Sequence, residues 1–198
     1  EFSRVLFRSR GQWWRLRLAD GASLETEWLV LAAGLGSTAL LPPDLQPAPA
    51  RLEPVLGQAL ELEIDSIDRP PGPGAWPGAV VWKGTNLILR PPAAGSDPDA
   101  PWRLWLGATL EPGQQASPEM LESLRSLDGE APAWLRRARS CRRWQGLRAR
   151  PLGQPAPLLQ DLGGGLLLAA GHYRNGVLLA PASAAWVAER IEAGRGAT

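Results

Sequence analysis

The chain has 198 residues, enough for one large domain or two small ones with a stable core. Apolar residues make up 44% and charged residues 21%, and the formal net charge is +1, so nothing global draws the chain to nucleic acid or to a membrane surface. The single cysteine, Cys141, excludes an internal disulfide framework and makes a cytoplasmic setting the expectation; no apolar run is long enough for a span, and no signal peptide is visible.

Arginine replaces lysine almost throughout (Lys83 is the one lysine), and the chain holds 10 Trp and 20 Pro, a compositional bias rather than a function. It opens EFSRVLFRSR without an initiator Met, so about its first ten residues are expected to be a junction and the chain a piece of a longer protein.

Residues 12–21 (QWWRLRLADG) alternate and end in Asp-Gly, a turn signal. Residues 22–37 (ASLETEWLVLAAGLGS) alternate and then run apolar from Trp28 to Ala33. That predicts a strand buried on both faces, as in a parallel sheet, ending at the loop Gly34-Leu35-Gly36-Ser37. In open α/β sheets ligands bind at that carboxyl edge. Residues 54–64 (PVLGQALELEI), 79–91 (AVVWKGTNLILRP) and 102–112 (WRLWLGATLEP) are predicted strands. A Pro/Gly-rich loop, 68–78, follows the first of them, and no helix intervenes, so the sheet should be antiparallel. Residues 117–129 (SPEMLESLRSLDG) predict a Ser-capped helix with Pro at its first position, and PAWLRRARSCRRW a second helix. Residues 142–162 (RRWQGLRARPLGQPAPLLQDL) should be extended. GGLLLAAG is a short buried strand, followed by a helix, GVLLAPASAAWVAERIEAG, whose apolar face includes Val177, Leu178, Ala185, Val187, Ala188 and Ile191.

Between that last strand and helix lie Gly171-His172-Tyr173-Arg174-Asn175-Gly176, which hold the only His and the only Tyr of the chain. Glycines permit close backbone approach, a helix start offers free N–H groups, and Arg174 adds a cation of fork geometry. A structural turn is the competing reading of this spacing.

The stretch GHYRNGVLLAP resembles the C-terminal flavin-binding motif of the D-amino-acid-oxidase-type flavoenzymes, in particular the glycine oxidases linked to thiamine synthesis. LVLAAGLGS resembles their second flavin-contacting strand. PVLGQALEL and LWLGATLEPG resemble strands of their substrate domain, and WQGLRARPLGQPAPLL the segment with the substrate-binding arginine. These stretches keep the family's order over roughly 11–193.

The resemblance implies an α/β plus α+β protein. Its discontinuous partial Rossmann-like FAD-binding domain, of the glutathione-reductase type, would comprise 11–45 and 143–198; a mixed or antiparallel-sheet substrate domain would comprise 52–142. It implies noncovalent FAD, held by Ala33, Gly34, Gly171, His172, Tyr173, Arg174, Asn175, Gly176, Val177 and Leu178. Arg148 is expected to clamp the substrate carboxylate, the one residue given a direct part in the reaction, with Arg174 assisting. The implied reaction is oxidative deamination of glycine or a small D-amino acid, with hydride transfer to flavin N5 and O2 reduced to H2O2. No metal, nucleic acid or membrane is expected to take part, and a homo-oligomer is compatible with it.

The sequence departs from the pattern in three places. The N-terminal glycine fingerprint for the FAD pyrophosphate is absent, which leaves a flavin-free, non-catalytic piece as an alternative. Leu87 stands where relatives carry a pocket tyrosine, and Ala149 where the arginine motif has Pro. Both point toward a larger or N-alkylated amino acid over glycine. An N-methyl amino-acid oxidase or an amino-acid dehydrogenase of the same superfamily is the other reading. A nucleic-acid role for the Arg-rich 134–150 is outweighed by the near-zero net charge.

Overall fold

The computed structural model describes residues 6–8, 13–18, 20–41, 51–68, 78–90, 92, 95–97 and 100–196. In chain order it contains β1 (Leu6–Arg8), β2 (Trp14–Arg17), β3 (Ser23–Thr26), β4 (Leu29–Leu31), α1 (Ser37–Leu40), β5 (Leu52–Ile64), β6 (Ala79–Trp82), β7 (Thr85–Arg90), β8 (Trp102–Gly107) and β9 (Glu111–Pro112). There follow α2 (Pro118–Ser126), α3 (Ala133–Arg137), β10 (Arg139–Pro151), β11 (Leu158–Asp161), β12 (Leu166–Ala170) and α4 (Gly176–Arg195). The result is the mixed α/β and α+β arrangement expected. The chain forms two compact units, Glu1–Pro54 with Arg148–Thr198, and Val55–Leu147. It passes between them inside β5 and again inside β10.

In the first unit β1, β2 and β3 form an antiparallel sheet. The Asp20-Gly21 turn joins the last two, with the Asp20 carboxylate accepting the Ala22 N–H at 2.9 Å. Trp14 is buried and its indole N–H donates to the Gly164 carbonyl at 2.8 Å, tying this sheet to the loop before β12. A second sheet runs β11-β12-β4. Its middle strand is antiparallel to β11 and parallel to β4, with Leu166 beside Leu29 and Leu168 beside Leu31. All five residues of β12 are buried, which is why the segment is apolar without alternation. Trp14, Leu29, Leu31, Leu41, Leu158, Leu166 and Leu168 make the core. Each such large side chain contributes about 1.5–3 kcal/mol of burial.

Helix α4 departs from expectation. Val177, Leu178, Ala185 and Ala188 are exposed, Val187 and Ile191 only half-buried, and its buried residue is Ser183. The first turns of α4 are apolar on every side, so no stripe in the sequence marks the inward face. Among the described residues no helix is long and apolar enough to cross a membrane.

The second unit is a sheet of order β10-β5-β8-β7-β6, with β9 paired to β5. β5 pairs antiparallel with β8 and β9, and β7 with β6 and β8. Alternation puts Leu60, Leu62 and Ile64 of β5, Leu87 and Leu89 of β7, and Trp102, Leu104 and Leu106 of β8 on one face. That face is covered by Leu124, Leu127, Leu135 and Ala138 from and around α2 and α3. The predicted cap of α2 is present: the Ser117 hydroxyl accepts the Met120 N–H at 3.0 Å, and Pro118 opens the helix.

Two sequence expectations need correction here. The single strand expected over 79–91 is a hairpin, β6 and β7, turned by Lys83 and Gly84 at φ 45° and 81°. Both turn residues are left-handed, a conformation that Asn-Gly announces and Lys-Gly does not. The second helix stops at Arg137, and Arg139–Pro151 is a long strand at the edge of the sheet. Of the loop expected over 68–78, residues 69–77 lie outside the described residues.

A buried polar cluster joins β5, β9 and the start of α2. The fully buried Gln58 donates from its amide to Glu111 Oε1 at 2.9 Å and to the Ser117 carbonyl at 2.8 Å, and accepts from Arg143 at 2.6 Å. Glu111 also accepts the Ser117 N–H at 2.6 Å and the Thr109 hydroxyl. Burial alone pushes the Glu111 carboxyl up. Hydrogen bonds from Thr109, Ser117 and Gln58, with the charge of Arg143, outweigh it and hold the group below the ordinary carboxylate value. A depressed folded-state value means that this stabilisation is complete above the unfolded glutamate range and is lost as pH falls through the folded value. Glu111→Gln sets amide N–H groups against that of Gln58. It should cost about 1–3 kcal/mol at neutral pH and flatten the acid limb of stability, read by urea unfolding against pH.

Candidate functional site

The candidate site is built on β4 and β12, which pair in parallel as Leu29–Leu31 beside Leu166–Leu168. From that pairing both segments run on through two alanines to a glycine, LVLAAG (29–34) and LLLAAG (166–171). Both glycines are left-handed, at φ 57° and 63°. Gly34 opens a 3-10 turn, Gly34–Gly36, that runs into α1. Gly171 opens the loop to α4.

The two positions differ in what surrounds them. A β-carbon on Gly34 would meet nothing within 4 Å. On Gly171 it would lie 2.8 Å from Leu52 Cδ2 and Pro151 Cγ, and 3.2 Å from Leu158 Cβ. The first edge is open to a ligand, while the second is sealed against β5, β10 and β11. Ser37, buried at the start of α1, has a hydroxyl with no hydrogen-bond partner among the described residues.

In the second loop His172 and Tyr173 are half-buried, Arg174 and Asn175 exposed. The Asn175 N–H donates to the His172 carbonyl at 3.1 Å, and Tyr173 is itself left-handed at φ 54°. Tyr173 is held from β10: the Arg150 guanidinium lies 5.9 Å from its ring centroid and is ion-paired with Glu53. His172 is held from α4, its Nε2 2.8 Å from Ser183 Oγ. Asn175 makes no side-chain cap on α4, so the helix begins with backbone donors that no cap occupies. Val177 and Leu178, in the first turn, are 91% and 80% exposed. Two branched apolar side chains standing in water beside uncapped donors suit a ligand with an apolar body and acceptor atoms.

Arg148 is half-buried on β10. Burial, and after it the charge of Arg174, push its guanidinium below its ordinary value, and it remains a cation. Two arginines from distant segments thus lie within one another's field. Arg148 is brought into the field of Arg174 and Tyr173. Ala33 is exposed just after β4, and Gly176 is the first residue of α4. The Leu87 expectation fails: Leu87 is buried in the helix-covered core of the second unit, closed to any substrate. Its neighbours Asn86 and Ile88 take the opposite face of β7. Arg150 and Ser183 were missed by sequence, the one hidden in an arginine-rich run, the other a lone serine among alanines.

A family model described as DAO, FAD dependent oxidoreductase, matches residues 3–190. The chain belongs to this family. The glycine oxidase of Bacillus subtilis (strain 168) is 37% identical to it over 93 residues, 45% of this chain and 25% of that protein. The solved glycine oxidase of Geobacillus kaustophilus superposes with a TM-score of 0.68 at 27% identity, over 93% of this chain and 46% of that one. That of Bacillus cereus ATCC 14579 gives 0.72 at 24%, over 94% and 48%, a likeness of fold. The chain therefore spans under half the length of these relatives. Within the family fold, the sealed glycine and the open one should respond differently to a methyl group. Gly171→Ala is expected to cost about 2–4 kcal/mol, from left-handed strain and overpacking together, and Gly34→Ala about 1–2 kcal/mol from backbone strain alone. Thermal unfolding of the two variants measures the difference.

Proposed function

We propose that the first unit is the flavin edge of an FAD-dependent oxidase of small amino acids, glycine or a D-amino acid. The observation that carries the reading is the pair Arg148–Arg174, two cations in one field beside a glycine loop that opens an uncapped helix. The residues present fit the cofactor: an open glycine edge at Gly34, unoccupied N–H donors at the start of α4, and an apolar surface at Val177 and Leu178. When bound, FAD supplies the acceptor for a hydride from the substrate α-carbon and passes the electrons to O2, giving H2O2.

The contributions of the chain are binding and orientation. Ala33, Gly34, Gly171 and Gly176 let backbone approach the cofactor, and Val177 and Leu178 cover its apolar part and exclude water. Arg148 grips the substrate carboxylate with its planar fork, and Arg174 adds the second positive charge. The Arg150–Glu53 pair holds Tyr173, and with it the backbone next to Arg174. No side chain is asked to act as a base. The second unit, on this reading, is the substrate domain.

Incubation of a purified full-length protein containing this chain with FAD, followed by gel filtration, should give flavin absorbance co-eluting with protein; a colourless peak overturns the reading. Gly176→Val is the matched control. A β-carbon there meets only His172 Cβ at 3.7 Å, so the fold is expected to remain while flavin is lost. In the flavin-loaded protein with a peroxide-coupled amino-acid panel, Arg148→Ala should raise KM at least tenfold with flavin retained. An unchanged KM would sink the clamp.

A further inference from the structure

Ser183 is the buried residue of an otherwise exposed or half-buried helix, at 6% exposure. A serine in a helix commonly turns its hydroxyl back to the carbonyl four residues earlier, as Ser126 does here to Glu122 at 2.8 Å. Ser183 does not. Among the described residues its hydroxyl has one partner, His172 Nε2, at 2.8 Å. A buried hydroxyl hydrogen needs an acceptor, and the imidazole nitrogen is the one within reach. If the hydroxyl donates, Nε2 accepts. A neutral ring that accepts at Nε2 carries its proton on Nδ1.

We infer that Ser183 is a positioning residue that holds His172 as the Nδ1–H tautomer, and so gives the Gly171–Gly176 loop a fixed side-chain donor. Among the described residues no group accepts from that Nδ1–H. It sits in the same loop as Arg174 and is directed by a contact one end of which is anchored in α4. An acceptor oxygen or nitrogen of the ligand at this strand edge is its natural partner. That last step rests on the flavin reading above; the tautomer does not.

His172 is the only histidine of the chain, so its ring can be read without assignment. Long-range proton–nitrogen NMR correlations on the 15N-histidine-labelled chain, without flavin and at neutral pH, should show Nε2 as the proton-free nitrogen and Nδ1 as the protonated one. Ser183→Ala should revert the ring to the Nε2–H form that dominates in free histidine, and Ser183→Thr should keep Nδ1–H. An Nε2–H ring in the unmodified chain overturns the inference, as does a Ser183→Ala spectrum identical to it. Fluorescence titration with FAD supplies the second readout, with affinity about tenfold weaker in Ser183→Ala and restored in Ser183→Thr. If no flavin binds while the tautomer pattern stands, the flavin reading fails and the positioning role of Ser183 survives.

Discussion

The parallel pairing of β4 with β12 is the constraint from which the site follows. These strands are remote in the chain, and no hairpin can bring them together, so their register is set by burial of Leu29, Leu31, Leu166 and Leu168 in one core. A slip of one residue would move those side chains to the opposite face of the sheet. Because both strands run the same way, both ends emerge on one edge, and both emerge through a left-handed glycine into a helix. Neither segment alone makes that edge.

The Gly171–Gly176 loop illustrates how a short segment is kept in one shape without regular structure. One end is sealed by Leu52, Pro151 and Leu158 against Gly171. Tyr173 is pinned from β10 through Arg150 and Glu53, and His172 from α4 through Ser183. The residues used for anchoring are half-buried, and the residues left exposed, Arg174 and Asn175, are free to face a ligand. The second unit has a comparable device in the Gln58–Thr109–Glu111 cluster, which joins two strands to a helix cap. There every buried polar group has a partner, and the stretch GATLEPG, which resembles a family motif, is seen to carry a structural role.

Much of this was legible in the residues. Unbroken apolar runs announce β4 and β12, and Ser-Pro-Glu announces the start of α2. The family resemblance is matched by the family model over residues 3–190. What sequence hid was long-range or conformationally unusual. The Lys83-Gly84 turn needs a left-handed lysine, which no composition rule favours. The inward face of α4 escaped because its first turns are apolar all round and the fold buries a serine. The motif resemblance puts Leu87 in a pocket, but alternation along β7 sets it with Leu89 on the covered face. The ion pair of Arg150 with Glu53 joins strands nearly a hundred positions apart, and no local pattern encodes it.

The long strand β10 has one further consequence. It lies at the edge of its sheet, and residues 139–147 are exposed along it. A thirteen-residue edge of that kind is a template on which another molecule can add a strand. Here the template carries Arg139, Arg142, Arg143, Arg148 and Arg150, of which Arg139 and Arg150 are ion-paired with Glu63 and Glu53. The like charge left along the strand opposes stacking of the chain into ribbons of its own kind.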